Sequence, residues 1–238
     1  MAQAQALGIL ARAYNITHEI KYLNTSKMLL NSFFVEVKDG GVTYKSPTNG
    51  WWYELYAGDN TGAKQPRVLN GMMFTLVGLY DYYNHTKNNT AKYLFDKGML
   101  ALESYLPLYD NNGSSYYDIL KTPGKSIYHL ANVRLLSQLY QITGQQYLKV
   151  YYDRWKAFNA NNLAHQPPAD IILDNSSIPL VNYRTIDGIK IGLQRNPVTV
   201  DHVALDYFKH YEKYGDNDSK KAFLNNANWI IRNSQPKF

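Results

Sequence analysis

The sequence predicts a mainly α fold: an incomplete or closed α/α toroid of αα-hairpins, with short β-hairpins in its rim loops. Three observations predict it. Apolar residues recur at helical spacing along most of the chain. Four helix ends resemble one another, each followed by a short polar turn and an aromatic–aliphatic pair. These repeats are unevenly spaced, which argues against a regular solenoid and for a curved or closed array with long loops on one rim.

Taken in order, Leu7, Leu10, Ala11 and Tyr14 fall at i, i+3, i+4 and i+7 of a first helix. Leu69, Met73, Leu76, Val77 and Tyr80 follow the same rule, as do Val200, Val203, Ala204, Tyr207, Phe208 and Tyr211. The stretch Ile127 to Ile142 is apolar on more than one face, which predicts deep burial. The helix ends are Ala13 to Thr17, Leu79 to Thr86, Leu139 to Gly144 and Tyr211 to Asp216, and second helices are expected to open at Tyr22-Leu23, Tyr93-Leu94, Tyr147-Leu148 and Phe223-Leu224. On such stripes Tyr14, Tyr80, Tyr140, Tyr207 and Tyr211 read as packing residues.

The connections carry the extended pieces. Gly41 to Lys45 and Trp51 to Tyr56 are spaced to pair across Pro47-Thr48-Asn49-Gly50. Tyr116 to Leu120 is a further strand candidate. Asn159, Asn161, Asn162, Pro167, Pro168 and Asn175 read as a linker, followed by extended segments at Ile178–Val181 and Gly188–Ile191. Asn196-Pro197 restarts helix, with Asn as N-cap and Pro at the first helical position.

Composition bounds the chemistry. The chain has 238 residues, 45% hydrophobic and 18% charged, which is globular rather than disordered. No apolar run is long enough to span a membrane. The start lacks the basic and apolar regions of a signal peptide. Cysteine is absent, which excludes disulfides, thiolate nucleophiles and Cys-ligated metals. Twenty-five basic against 19 acidic residues give +6, suited to a polyanionic partner. The Lys and Arg residues are spread along the chain without a basic stripe, so no nucleic-acid partner is expected. His85, His165, His202 and His210 lack metal-ligand spacing, and there is no Gly-rich phosphate loop, so neither zinc nor another cofactor is expected. Asn-x-Ser/Thr sequons at Asn15, Asn24, Asn84, Asn88, Asn112, Asn175 and Asn217 point toward an extracellular or cell-envelope location. Tyrosine is in excess, 22 residues against 8 Phe and 4 Trp.

Several ordered motifs carry a resemblance. Met1-Ala2-Gln3-Ala4-Gln5-Ala6-Leu7 resembles a "MAQGQA" helix and Trp52-Tyr53-Glu54-Leu55-Tyr56 resembles "WYEEY". Val68-Leu69-Asn70-Gly71, with Gly78-Leu79-Tyr80-Asp81, resembles the helix that follows. Leu106-Pro107-Leu108-Tyr109-Asp110 resembles "LPLYD", Tyr117-Asp118 "YDL" and Tyr128-His129 "YH". Together they resemble the C-terminal domain of the D-glucuronyl C5-epimerases, over about residues 1 to 158. Ile178 to Tyr183, Asn196 to Val200 and the helices around Phe223 and Trp229 resemble segments that precede the "MAQGQA" helix in that family. The chain therefore reads as circularly permuted, or as a slice across two modules. Residues 1–158 form an epimerase-like toroid segment and 159–195 a linker. Residues 196–238 form a helical hairpin that completes the toroid, in the same chain or by a swap in a homodimer.

The resemblance implies proton abstraction and return at C5 of glucuronate or iduronate units in an acidic polysaccharide. That chemistry needs a neutralised sugar carboxylate and proton-transfer groups flanking the ring. The family's acid/base residues fall at Tyr56, Tyr117 and Tyr128, and Glu54 is the acid remaining from the paired-carboxylate motif, Leu55 replacing its partner. His129, Lys121, Arg134, Asn70 and Trp52 are the implied substrate-binding residues. Lys121 lies beside the place of a family arginine, and Asn132 stands where the family has a second histidine. Trp51-Trp52 and Tyr53 read either as a sugar-stacking platform or as a hydrophobic plug. Two further readings remain open: a glycan-binding or structural module without catalysis, and a uronate lyase.

Overall fold

The computed structural model describes residues 1–56, 65–164, 170–186 and 188–234. The helices are α1 (Ala2–Thr17), α2 (Ile20–Ser32), α3 (Leu69–Thr86), α4 (Asn89–Tyr105), α5 (Ser126–Thr143), α6 (Gln146–Lys156), α7 (Pro197–Tyr214) and α8 (Asn217–Asn233). Short strands occupy the connections: β1 (Thr43–Lys45), β2 (Trp51–Tyr53), β3 (Asp110–Asn111), β4 (Ser114–Ser115), β5 (Asp170–Leu173), β6 (Pro179–Asn182), β7 (Thr185–Ile186), β8 (Ile189–Lys190) and β9 (Leu193–Gln194). The fold is mainly α: helices joined in consecutive pairs, with β-hairpins in the longer connections. His165, Pro167 and Pro168, from the linker and histidine readings, lie outside the described residues.

One turn is used four times. The first helix of each pair ends in a left-handed residue, at His18, Lys87, Gly144 and Gly215. Its N–H donates at 2.7 Å to the carbonyl of a tyrosine four residues back: Tyr14, Tyr83, Tyr140 or Tyr211. In three of the four, a threonine hydroxyl (Thr17, Thr86, Thr143) donates to the carbonyl four residues before it and accepts the N–H two residues after it. These bonds satisfy carbonyls that the helix end leaves unpaired and start the next helix after two residues. The aromatic–aliphatic pairs consequently lie within the second helices rather than at their starts: α2, α4, α6 and α8 begin at Ile20, Asn89, Gln146 and Asn217.

The chain divides into two compact units. The first holds Leu30–Gln166, together with Met1. Within it α3 packs on α4 and on α5, and α5 packs on α6. Its core contains Met72, Leu76, Leu94, Leu102, Leu135 and Trp155, all buried to within about a per cent. α5 is less buried than its sequence predicts. His129, Asn132, Leu135, Leu136 and Leu139 face inward, whereas Ile127 and Leu130 are 45% and 56% exposed. The reason is that α3 and α6 cover one side of the helix and leave the rest to solvent.

The second unit holds Ala2–Leu29 and Pro167–Phe238. Here α7 packs on α8, and α1 packs on both. The Tyr22 hydroxyl of α2 donates to Asn228 of α8 at 3.2 Å. Asn196 caps α7 as expected: its side chain accepts the N–H groups of Val198 and Thr199, with Pro197 at the first turn. β6 is the centre of a three-stranded antiparallel sheet flanked by β5 and β9.

The stripe tyrosines Tyr14, Tyr80, Tyr140, Tyr207 and Tyr211 are only half-buried. The buried ones are Tyr22, Tyr53, Tyr82 and Tyr109. A phenol at the edge of a stripe keeps its hydroxyl wet while its ring packs, which is the cheaper arrangement where no buried partner exists. Tyr53 and Tyr109 instead find backbone acceptors, Leu94 and Arg67.

Candidate active site

Two connections of the first unit bring the predicted tyrosines together. The first follows the β1–β2 hairpin, in which Thr43 pairs with Tyr53 and Lys45 with Trp51. Pairing ends at Tyr53, short of the expected Tyr56, because the chain turns inward at Glu54. The second connection runs from α4 to α5. Tyr116 to Leu120 forms no strand there: Tyr116 makes an isolated bridge to Pro123, and the strands are β3 and β4 instead. Residues 117–122 close as a turn. Tyr117 N–H donates to Thr122, Lys121 N–H to the Asp118 carbonyl, and Thr122 N–H to the Asp118 carboxylate. A turn bonded to itself cannot pair as a strand. Gly124 is required just after it, since a Cβ would sit 2.5 Å from the Ser115 carbonyl.

The two connections are tied to the start of α3. Leu69 N–H donates to the Tyr117 carbonyl at 3.1 Å, and Ile119 N–H to the Pro66 carbonyl at 2.9 Å. The result places the Tyr56 and Tyr117 hydroxyl oxygens 3.2 Å apart. The Tyr128 ring, in the first turn of α5, lies against Tyr117 with centroids 4.8 Å apart. Tyr56 is 54% exposed and Tyr117 and Tyr128 are half-buried, so the cluster is open to solvent from one side. Burial, and then the hydrogen bond shared with Tyr56, push the Tyr117 phenol well above its ordinary pKa.

Glu54, two residues before Tyr56, is turned inward. It is 1% exposed, and its Oε2 accepts the Arg67 N–H at 3.1 Å. Burial raises its pKa to about 7, against the smaller opposing pull of the Arg67 N–H and guanidinium. The Arg67 guanidinium is 4.0 Å from Glu54 and lies over the Tyr44 and Tyr105 rings, at 4.2 and 5.1 Å from their centroids. The Tyr109 hydroxyl donates to the Arg67 carbonyl at 2.5 Å. Arg67 therefore braces Glu54 and the approach to α3. It was missed in the sequence, where only its place directly before the Val68-Leu69-Asn70-Gly71 motif marked it. Leu55 packs on Gly71 of α3, where an added Cβ would come within 3.0 Å of the leucine Cβ.

The implied binding residues are dispersed. Asn70 is buried in the first turn of α3, next to the Tyr117 attachment. Trp52 is fully buried, parallel to Tyr109 and edge-on to Tyr105, so no sugar reaches its ring. It is the plug of the two readings, because β2 is covered on both faces. Trp51 is half-buried among Phe34 and Tyr93.

His129 is also buried, with both ring nitrogens engaged. Nδ1 accepts the Ser115 N–H at 3.1 Å, which puts the proton on Nε2 to donate to the Trp155 carbonyl at 3.2 Å. Asn132 donates to Ser115 Oγ, and Trp155 Nε1 to Asp110. These bonds hold the β3–β4 hairpin against α5 and α6, and burial lowers the His129 pKa, keeping the ring neutral. Lys121 is exposed on the turn, with a left-handed backbone (φ 66°). Arg134 lies on the exposed side of α5, its guanidinium 5.9 Å from the Phe74 ring centroid.

The site thus joins three phenols, with a buried acid two residues before the first of them. Its residues fall inside the matched region of known proteins. A family model described as the C-terminus of D-glucuronyl C5-epimerase matches residues 1–157. An uncharacterised protein of Methanocaldococcus jannaschii is 34% identical over 161 residues, covering 66% of this chain and 50% of that protein. D-glucuronyl C5-epimerase of Caenorhabditis elegans is 30% identical over 174 residues, covering 65% of this chain and 27% of that protein. The matches span half or less of each relative. Among solved structures, a family 76 α-mannanase of Bacteroides thetaiotaomicron aligns with a TM-score of 0.48 at 15% identity, over 94% of this chain and 59% of that one. A family 76 mannosidase of the same species gives 0.46 at 11%, over 98% and 59%. The family match extends over about two thirds of the chain and takes in all three tyrosines and Glu54, so this chain belongs to the D-glucuronyl C5-epimerase C-terminal family.

Proposed function

We propose that the chain acts as a uronate C5-epimerase on an acidic polysaccharide, with Tyr56, Tyr117 and Tyr128 as its proton-transfer groups. The observation that carries this reading is the convergence of the three phenols at one open cluster. In the reaction the C5–H bond breaks, its electron pair moves toward the uronate carboxylate, and a proton returns to C5 from the opposite face. Two faces need two groups: a deprotonated phenol of the cluster accepts the C5 proton on one face, and a neutral phenol with a raised pKa, such as Tyr117, donates one on the other. Tyr56, sharing a hydrogen bond with it, is placed to relay that proton. Phenol donors also stabilise the charge that develops on the carboxylate.

A second reading, a glycan-binding module without catalysis, is favoured by one observation. Leu55 stands in place of a second acid and packs on α3, while Glu54 is turned inward onto the Arg67 N–H. The deciding experiment incubates the chain with a glucuronate polymer in deuterated water. Deuterium at C5 without chain cleavage supports the epimerase, and cleavage with a rise in ultraviolet absorbance supports a lyase. Polymer binding without either supports the binding module.

A further inference from the structure

An aromatic surface of the first unit includes none of the three site tyrosines. Phe34 follows the end of α2, Trp51 opens β2, and Tyr93 and Lys97 stand one turn apart on α4. The Phe34 and Tyr93 rings are nearly parallel, 9° apart in plane and 6.4 Å between centroids. Trp51 stands edge-on to both, at 5.8 and 5.5 Å. Gly50 brings the β1–β2 hairpin onto α4, since a Cβ there would lie 2.3 Å from the Lys97 carbonyl. A hairpin and a helix therefore fix the rings. Their contacts with one another still leave Phe34 37% and Tyr93 44% exposed.

Ammonium groups flank these rings. Lys97 Nζ is 5.6 Å from the Tyr93 centroid and Lys45 Nζ is 4.8 Å from the Trp51 centroid. The nearby acids are already matched. Glu36 has Lys45 at 3.8 Å and Lys38 at 3.9 Å, and Asp96 has Lys92 at 2.6 Å. Lys97 makes no ion pair among the described residues, so it remains for an anion. Exposed rings beside a spare cation suit a partner with a flat apolar face and a negative charge. A pyranose presents a face of C–H groups to the negative face of an aromatic ring. A uronate carboxylate adds the acceptor that an ammonium needs. A basic partner would be repelled by the lysines, and a purely apolar one would strip them of water without replacing it.

We propose that Phe34, Trp51 and Tyr93 form a second contact surface for an acidic polysaccharide, with Lys97 meeting a carboxylate of the stacked sugar. The choice of a uronate polymer rests on the epimerase reading, whereas binding at this surface needs no catalysis. The rings are set before the ligand arrives, so stacking on them costs little side-chain ordering. The carboxylate contact is exposed and is weakened by salt.

The test measures, by calorimetry at low salt, the affinity of the whole chain for a glucuronate polymer and for the same polymer with its carboxylates reduced to alcohols. Tyr93→Ala and Lys97→Gln are each expected to weaken binding of the glucuronate polymer about fivefold or more. Lys97→Gln is also expected to narrow the preference over the reduced polymer. It leaves the ring packing intact, which keeps a readout if Tyr93→Ala fails to fold. The control is Lys156→Gln, whose ammonium stands over Tyr152 at 5.2 Å without such a cluster, and it is expected to leave the affinity unchanged. Undiminished affinity in both surface variants overturns the proposal, whatever the deuterium uptake at C5. Equal weakening by Lys156→Gln overturns it too, because the attraction would then be diffuse charge. So does surface-dependent binding to vesicles of anionic phospholipid without binding of the polymer. Surface-dependent binding of the polymer without deuterium uptake by the wild type supports this surface and sinks the epimerase reading alone.

Discussion

Glu54→Gln is the most informative single change in the first unit. Glu54 has no exposed side-chain surface, and burial lifts its pKa from 4.5 to about 7. A carboxyl whose pKa is higher in the folded state binds its proton more tightly there. Its stabilising effect is complete below pH 4.5, is lost as pH rises to 7, and changes no further above that. At about 1.4 kcal/mol per pH unit, the loss is about 3 kcal/mol. Glutamine has the same shape, still accepts the Arg67 N–H, and does not titrate. Urea unfolding of both proteins from pH 4 to 9 therefore predicts a difference, wild type minus variant, that falls by about 3 kcal/mol between pH 4.5 and 7 and then stays level. Taking the difference removes other titrating groups such as His129. A difference independent of pH would refute the burial argument. A difference that grows with pH would mean that the Arg67 ion pair outweighs desolvation.

Two further changes test the packing. Gly98→Ala places a Cβ 2.5 Å from Leu76 Cδ2 and 2.9 Å from Tyr53 Cε2, and the crowding is expected to cost about 1–3 kcal/mol in chemical denaturation, more than the helix propensity of alanine returns. Asn196→Ala removes both cap bonds at the start of α7 and is expected to cost about 1 kcal/mol and lower Tm, whereas Asn196→Asp retains the acceptor and most of the stability.

The helices and their stops were legible because they depend on local signals. The 3.6-residue stripes, the Asn196-Pro197 start and the Gly144 and Gly215 stops need no knowledge of tertiary contacts. The extended segments were less so. Trp52 and Tyr56 lie in one motif, yet the first is buried and the second is 54% exposed, because the chain turns inward at Glu54 and nothing in the residue pattern marks that turn. Tyr116 to Leu120 has the composition of a strand but closes on itself through Asp118, a choice made by side-chain bonding. Tyr56, Tyr117 and Tyr128 were found through family resemblance, since 22 tyrosines offer no internal way to select three. Arg67 was invisible for the opposite reason. A lone arginine before a helix carries no pattern, and its importance comes from Glu54, Tyr44, Tyr105 and Tyr109 meeting it in space.

The central claim is that the clustered phenols move the C5 proton. It is tested most directly by the rate of deuterium uptake at C5 of a glucuronate polymer, compared between the wild type, Tyr117→Phe and Tyr128→Phe. Each phenylalanine keeps the ring packing and deletes the hydroxyl. The account predicts measurable uptake by the wild type and a loss of about 100-fold or more in each variant, with polymer binding and thermal stability little changed. Uptake that persists undiminished in both variants would contradict it.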